Sequence, residues 1–199
     1  MRTVFFDIDT QFDFLLPAGA LSATGADRIV PAVARLNRYA AAHGIPVVST
    51  VDAHAEDDLE FRSWPPHCVS GTLGQHKPDE TLLERRVVIP NGDGPIAIGG
   101  AQQILLEKQT VDVFQTRTVT PLLELLAADR YVIYGVVTEV CVLFAARGLL
   151  RTGKPVTVVR DAIQSLTDEA GDRALREIEA AGGELAPASV ITAKIRGSA

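Results

Sequence analysis

Short apolar runs alternate with amphipathic segments along most of the chain. The apolar runs are rich in Val, Ile and Phe, which is typical of buried strands. They predict strands at residues 3–8, 45–51, 85–90, 130–137 and 154–162. Segments with apolar residues three or four positions apart predict helices at residues 26–44, 120–129, 138–153 and 167–182. A last apolar run predicts a further strand at residues 188–193.

The alternation of strands and helices predicts an α/β fold with a central parallel sheet. Parallel strands are nearly continuously apolar because helices cover both faces of the sheet, which gives three layers, α/β/α. Ligands bind such sheets beyond the carboxyl ends of the strands. Asp9, Asp52 and Cys141 all come directly after predicted strands. Residues 52–80 form a long polar segment, and loops of that length are usually functional.

Composition and charge narrow the classes of partner. A chain of 199 residues that is 47% hydrophobic suits one domain over residues 1–199 with a single core. The net charge of −6, without a basic cluster, argues against nucleic acid and anionic membranes as partners. The sequence contains neither a membrane-length apolar stretch nor a signal peptide, and it has two cysteines. We therefore expect a cytoplasmic protein with reduced thiols.

The stretch "FFDIDTQFDF" at residues 5–14 carries three aspartates and has two interpretations. Its first part approaches the DxDx[TV] motif of aspartyl-phosphate phosphatases. Its second part is a D-x-Q-x-D-F motif in which Asp9 would be a general base. The fifth place of the phosphatase motif holds Gln11 instead of Thr or Val, which favours the second interpretation. Asp7 and Asp13 are then expected to be structural.

Cys141 lies in "YGVVTEVCV", at a predicted strand-to-helix turn. If Thr138 is the N-cap, Cys141 occupies the third helical position. The helix dipole would lower the pKa of its thiol there, and free backbone N–H groups could hold an oxyanion. The alternative is a small hydrophobic residue buried under the sheet, as free cysteines often are.

Asp52, His54 and His67 provide a carboxylate and two imidazoles within the long polar segment. Such groups suit a divalent transition metal, although a polar loop without metal has the same composition. Lys108 follows an apolar stretch and would ordinarily be a solvated surface residue. It becomes interesting only beside Asp9 and Cys141, because a nearby cation favours the thiolate that a base generates.

These motifs, taken together, resemble those of the isochorismatase-like cysteine hydrolases, and within them the nicotinamidases. The resemblance extends from the first strand to about residue 185. Five motifs follow in the family's order: D-x-Q-x-D-F, the D-x-H of Asp52 and His54, "WPPHCVSGT" at 64–72, Lys108 and "GVVTEVC". The resemblance implies a Rossmann-like, isochorismatase-like hydrolase fold.

The same resemblance implies a catalytic triad of Asp9, Lys108 and Cys141. Asp9 would deprotonate the thiol, and the thiolate would attack a carboxamide. A cis peptide before Val137 is usual in the family and would make an oxyanion hole from the amides of Val137 and Cys141. Water activated by Asp9 or by a metal would then hydrolyse the thioester.

Substrate and metal ligands also follow from the resemblance. Phe14 and Trp64 would stack on the substrate ring. A divalent metal held by Asp52, His54 and His67, zinc in the first place with iron and manganese as alternatives, would bind the pyridine nitrogen. Many relatives have a further histidine six residues after the D-x-H histidine. This chain has Glu60 there and Asp57 and Asp58 nearby, so we expect Glu60, or one of these two aspartates, in the metal shell.

The expected activity is therefore hydrolysis of nicotinamide to nicotinate and ammonia, in NAD salvage. The first alternative is a related hydrolase of the family that acts on another small amide or on a vinyl ether. The second is a catalytically inactive binding module. The expected partner is a small amide, and relatives commonly form homodimers or homotetramers.

Overall fold

Seven parallel strands form one central sheet. The structure is a computed structural model that describes the backbone of residues 1–196 and the side chains of residues 1–193, so residues 197–199 of the predicted domain lie outside it. The strands are β1 (Thr3–Ile8), β2 (Val47–Asp52), β3 (Arg86–Ile89), β4 (Gln103–Lys108), β5 (Arg130–Val136), β6 (Val156–Gln164) and β7 (Glu184–Ala186). Their order across the sheet is β3-β4-β2-β1-β5-β6-β7. All pairs are parallel.

Helices cover both faces of the sheet. They are α1 (Phe12–Leu15), α2 (Val30–Ala42), α3 (Val119–Leu126), α4 (Leu143–Leu150), α5 (Asp168–Ala180) and α6 (Ala188–Arg196). Helices α3, α4 and α5 pack on one face, and α1, α2 and α6 pack on the other. The predicted three-layer α/β/α architecture is thereby confirmed.

The two apolar layers follow from the alternation of side chains along β1. Val4, Phe6 and Ile8 join the core beneath α3 to α5, whereas Phe5 joins the core beneath α1 and α2. Each of these side chains is at most 1% exposed, as expected for a strand that helices cover on both sides.

The end of the chain differs from the prediction. Residues 188–193, predicted as a strand, belong to α6, and the short β7 before them occupies the sheet edge. The Asp161 carboxylate accepts a hydrogen bond of 2.7 Å from the Ala188 N–H at the start of α6. Within this segment Ile191 is buried in the apolar core and Val190 is exposed, so only one side of the segment faces the core. A single apolar stripe suits a helix on the sheet better than a strand within it.

Strand β4 was not predicted, because its short apolar part lies between polar residues. Gln103 and Lys108, at its two ends, are nevertheless buried. The long segment between β2 and β3 contains 3₁₀ turns at Leu59–Arg62, Leu73–Gln75 and Asp79–Thr81.

Among residues 1–196, helices with both the length and the apolar character to cross a bilayer are absent.

Candidate active site and metal centre

Four neighbouring strands bring the candidate catalytic residues to the carboxyl edge of the sheet. Lys108 ends β4 and pairs in register with Asp52, which ends β2. Asp9 follows β1, and Cys141 lies in the π-helical turn Thr138–Val142 after β5. Because β4, β2, β1 and β5 are consecutive in the sheet, all four side chains converge.

Asp9 is buried and tightly positioned. Its Oδ1 accepts a hydrogen bond of 2.5 Å from the Thr50 hydroxyl, and its Oδ2 lies 2.9 Å from Lys108 Nζ. Its backbone adopts φ +48°, in the left-handed region that non-glycine residues rarely adopt. Such strain persists where the surroundings over-determine the conformation, as they often do at functional sites.

Lys108 is 1% exposed, so its interpretation as a solvated surface residue is wrong. Its ammonium group pairs with Asp9 and Asp52, and it donates a hydrogen bond of 3.0 Å to the Thr110 carbonyl. Burial lowers the pKa of Lys108, but the two carboxylates outweigh burial and hold it well above its usual range. Lys108 therefore stays protonated, 3.9 Å from Cys141 Sγ.

The turn that carries Cys141 differs in detail from the prediction. Thr138 is the first residue of the π-helical turn and does not cap it, and Val137 occupies the N-cap position without a side-chain cap. The peptide bond between Val136 and Val137 is cis, as the resemblance implies.

The predicted low pKa of Cys141 is wrong for the structure as it stands. Burial raises the pKa of the thiol well above its usual range, the Lys108 ammonium lowers it only in part, and Asp9 raises it again. Burial likewise raises the pKa of Asp9, against the opposing effect of Lys108. The resting site therefore pairs a neutral thiol with a carboxyl group whose pKa is raised, which makes that group, when ionised, a stronger acceptor for the thiol proton.

Asp52, His54 and His67 form a compact group of buried ligand atoms. One ligand atom from each lies within 4.8 Å of the others. Asp52 Oδ2 is 3.8 Å from His54 Nε2 and 3.6 Å from His67 Nε2. Burial raises the pKa of Asp52, but Lys108 and the two imidazoles outweigh it and hold it below its usual range, so this ligand is ionised.

The surroundings orient both imidazoles towards a common point. His54 Nδ1 lies 3.0 Å from Asp58 Oδ2, and His67 Nδ1 lies 2.7 Å from the Pro65 carbonyl. Phe61 packs against both rings. Both ring nitrogens of His54 are buried without a hydrogen-bond partner among the described residues, although the Asp58 carboxylate lies close to Nδ1. An unpaired ring nitrogen whose opposite nitrogen faces an acceptor is the usual state of a metal-ligating histidine, so the three residues fit a divalent metal.

The predicted fourth ligand lies close to this group but outside it. Glu60 is half-buried and lines the same cavity as Asp52 and His67. Its own burial, and then Asp52, raise its pKa. Asp57 is exposed, and Asp58 lies behind His54. Coordination by Glu60 stays a prediction.

A narrow cavity with a volume of about 30 Å³ opens over Cys141. Its walls are mainly apolar and include both predicted ring-stacking residues. The lining residues are Phe14, Leu21, Asp52, Glu60, Trp64, His67, Val111, Val137, Val140, Cys141 and Leu166. The cavity therefore combines flat apolar walls, a candidate metal centre and a thiol.

Two polar residues of the site were given no role from the sequence. The Gln11 side chain accepts a hydrogen bond from the Asp52 N–H at 2.7 Å and donates one to the Asp52 carbonyl at 2.8 Å. It thereby fixes the end of β2, which explains the glutamine of D-x-Q-x-D-F. The other is Thr50, two residues before Asp52, whose hydroxyl donates a hydrogen bond to Asp9.

The other two aspartates of the opening stretch have structural contacts. Asp13 accepts hydrogen bonds from the N–H groups of Cys68 at 2.7 Å and Ala20 at 3.0 Å. Asp7 is fully buried and forms an ion pair of 3.1 Å with Lys77. Both contacts agree with the prediction that these carboxylates are structural.

Comparison with known proteins identifies the class. Residues 3–90 and 95–189 match the isochorismatase domain family. A nicotinamidase/pyrazinamidase of Mycobacterium tuberculosis is 29% identical over 189 residues, which cover 89% of this chain and 95% of that protein. The crystal structure of a Pyrococcus horikoshii pyrazinamidase in complex with zinc is similar with a TM-score of 0.77 and 28% identity, over 94% of this chain and 99% of that one. A nicotinamidase/pyrazinamidase structure from Bacillus subtilis has a TM-score of 0.82 at 24% identity, over 94% of this chain and all of that one, and supports the fold.

The fold and the site thus define a hydrolase with a three-layer α/β/α fold and a candidate cysteine nucleophile. More specifically, the chain belongs to the isochorismatase family, and it has nicotinamidase/pyrazinamidase homologues.

Proposed function

We propose that this protein is a nicotinamidase, which hydrolyses nicotinamide to nicotinate and ammonia. The cavity over Cys141 carries the proposal. Its walls contain Phe14 and Trp64, which suit a planar aromatic ring, and the candidate metal ligands Asp52 and His67. Nicotinamide has a pyridine nitrogen and a carboxamide on one small ring. The nitrogen matches the candidate metal centre, and the carboxamide matches the Cys141 thiol.

In the first half of the reaction, Asp9 accepts the proton of the Cys141 thiol. The thiolate attacks the carboxamide carbon, while Lys108 keeps a positive charge 3.9 Å from the sulfur. The amides of Val137 and Cys141 stabilise the developing oxyanion. Asp9 returns its proton to the leaving nitrogen, and ammonia departs.

In the second half, a water molecule attacks the thioester and loses a proton to Asp9. Collapse of the tetrahedral intermediate releases nicotinate and restores the Cys141 thiol with that proton. Thr50 and Lys108 keep Asp9 in place through both halves, because they bind its two oxygens at 2.5 and 2.9 Å.

Asp52, His54 and His67 would hold a divalent metal, for which zinc is the first candidate. When bound, such a metal supplies a Lewis acid for a nitrogen lone pair of the substrate. Asp58 and the Pro65 carbonyl keep the ligand imidazoles oriented.

The charge of the cavity favours an uncharged substrate over the alternative of an anionic one. Its described lining contains the acids Asp52 and Glu60 and lacks both lysine and arginine. Lys108, just behind it, is already paired with Asp9 and Asp52. Among the side chains of the described lining, a substrate carboxylate would therefore find neither an arginine fork nor a free ammonium group to pair with.

The proposal is tested by ammonia release from zinc-loaded protein with two substrates. We expect kcat/KM for nicotinamide to exceed that for a carboxylate-bearing aliphatic amide by at least about 100-fold, because the aliphatic amide has neither the flat ring that Phe14 and Trp64 suit nor the ring nitrogen that the metal would bind. Turnover of the aliphatic amide alone would support the alternative, a related hydrolase of the family that acts on another small amide. Absence of ammonia from nicotinamide would refute the proposal.

A further inference from the structure

One wall of the cavity comes from a short loop remote in sequence from the predicted site residues. Leu166 lies between β6 and α5 and lines the cavity beside Val140 and Cys141. Its side chain is 41% exposed, so it covers the edge of the cavity where solvent begins. A branched aliphatic side chain in this place limits how far a flat ligand can extend.

Glu139 holds this loop from the turn that carries the nucleophile. Its Oε1 accepts hydrogen bonds from the N–H groups of Leu166 at 2.9 Å and Thr167 at 3.4 Å. Glu139 is two residues before Cys141 in the turn Thr138–Val142. The same turn therefore supplies the thiol, the Val140 wall and the anchor of the Leu166 wall.

Other contacts make the loop stiff on both sides of Leu166. Thr167 caps α5 by accepting a hydrogen bond of 3.2 Å from the Ala170 N–H. Gln164 donates one of 3.1 Å to the Thr24 carbonyl, three residues after Leu21, which also lines the cavity. The flanking contacts hold the ends of the loop, and Glu139 is the side chain that binds Leu166 itself.

We propose that Glu139 is a positioning residue that seats Leu166, and that the Leu166 wall sets the ring size which the cavity accepts, one aromatic ring and not two fused rings. This inference deepens the proposed function and rests on its assignment of the cavity as the ring site. It predicts a change in ligand selection, which a merely structural role of Glu139 would not produce.

The test measures binding instead of turnover. Trp64 is the only tryptophan of the chain and lines the cavity, so its fluorescence reports a bound ligand. Zinc-loaded Cys141→Ala protein is titrated with nicotinamide and with quinoline-3-carboxamide, which has a second fused ring. The additional variants are Leu166→Ala, Glu139→Ala and Glu139→Gln, with Glu169→Ala as a control that removes an exposed carboxylate from the first turn of α5. Thermal unfolding checks that each variant is folded.

We expect the Cys141→Ala parent to bind nicotinamide at least about tenfold more tightly than quinoline-3-carboxamide, because the apolar wall at Leu166 leaves little room for a second ring. Leu166→Ala and Glu139→Ala should reduce this ratio to about threefold or less. Glu139→Gln, whose amide oxygen can still accept the Leu166 N–H, should keep the ratio, and so should Glu169→Ala.

An unchanged ratio in folded Glu139→Ala or in Leu166→Ala would overturn the inference and leave the proposed function intact. A parent that binds neither amide, or both equally, would also overturn it. Conversely, binding with the expected ratios but without hydrolysis by the wild-type protein would refute the proposed function alone. If Glu139→Ala does not fold, Leu166→Ala still decides whether the wall selects ring size, and a changed ratio in Glu139→Gln would contradict the role given to the Glu139 oxygen.

Discussion

At the scale of single residues, the site is a balance of buried charges. Burial raises the pKa values of Asp9 and Cys141, and Lys108 opposes both effects. In the proposed mechanism, the lysine favours the ionised form of Asp9 and stabilises the thiolate as it forms. Its value to catalysis is therefore electrostatic, and replacing it by an uncharged side chain should disturb both groups together.

Lys108→Met should shift the acid limb of kcat/KM to higher pH. Asp9 acts as a base only when ionised, so activity falls as the pH drops through its pKa. Loss of the ammonium group raises that already elevated pKa further, and kcat/KM should drop by about 100-fold or more. The pH profile is measured beside Lys154→Met, which removes an exposed lysine. An acid limb at the same pH in both variants would contradict this account.

The sequence predicted Asp9, Asp52 and Cys141 because each follows an apolar strand. Lys108 gained a role only beside Asp9 and Cys141 and then through the resemblance, since β4 is too short and too mixed to identify from its pattern. The shift in the pKa of Cys141 was predicted in the wrong direction. The helix dipole is a local feature, whereas burial depends on the packing of distant segments.

At the scale of elements, the long segment after β2 brings a candidate metal site to the sheet edge. Its 3₁₀ turn Leu59–Arg62 begins after Asp58, whose carboxylate accepts a hydrogen bond of 2.9 Å from the Glu60 N–H and also faces His54. The composition of the segment predicted the first ligands. The composition did not show which of Asp57, Asp58 and Glu60 would complete the candidate metal shell or lie beside the His54 imidazole. These acids are neighbours in the sequence, and the local backbone decides in which direction each side chain points.

Asp58→Ala should weaken zinc binding by about 10- to 100-fold, because His54 loses the carboxylate that orients it. The dissociation constant is measured by competition with a chromophoric chelator. Asp57→Ala is the matched control, since Asp57 is the exposed neighbouring acid. Equal zinc affinities for the two variants would show that Asp58 does not support the metal centre.

The pairing of β1 with β5 should not tolerate a side chain at Gly135. A Cβ there would lie 2.1 Å from the Ile8 carbonyl oxygen, and the residue adopts φ +121°. Gly135→Ala should therefore destabilise the fold by about 3 kcal/mol or more. Urea unfolding is compared with Gly92→Ala, at which an added Cβ meets no atom within 4 Å. Similar losses of stability in both variants would contradict the close approach.

At the scale of the whole molecule, the parallel sheet accounts for the convergence of distant residues. Its central strands deliver Lys108, Asp52 and Asp9 to one edge, and the turn after β5 adds Cys141. The alternation of apolar strands and helices predicted this architecture. The cavity wall at Leu166 was not predicted, because it depends on a hydrogen bond between segments that the pattern does not connect. Homo-oligomeric assembly and a cytoplasmic location stay predictions.

The most direct test of the central claim is ammonia release from nicotinamide by zinc-loaded wild-type protein, measured beside Cys141→Ala. We expect release by the wild type and a loss of at least about 1000-fold in the variant, since it lacks the nucleophile. The variant should keep its thermal transition, because replacing a buried thiol by a methyl group is a small change. Equal ammonia release from both folded proteins, or release from neither, would contradict the account.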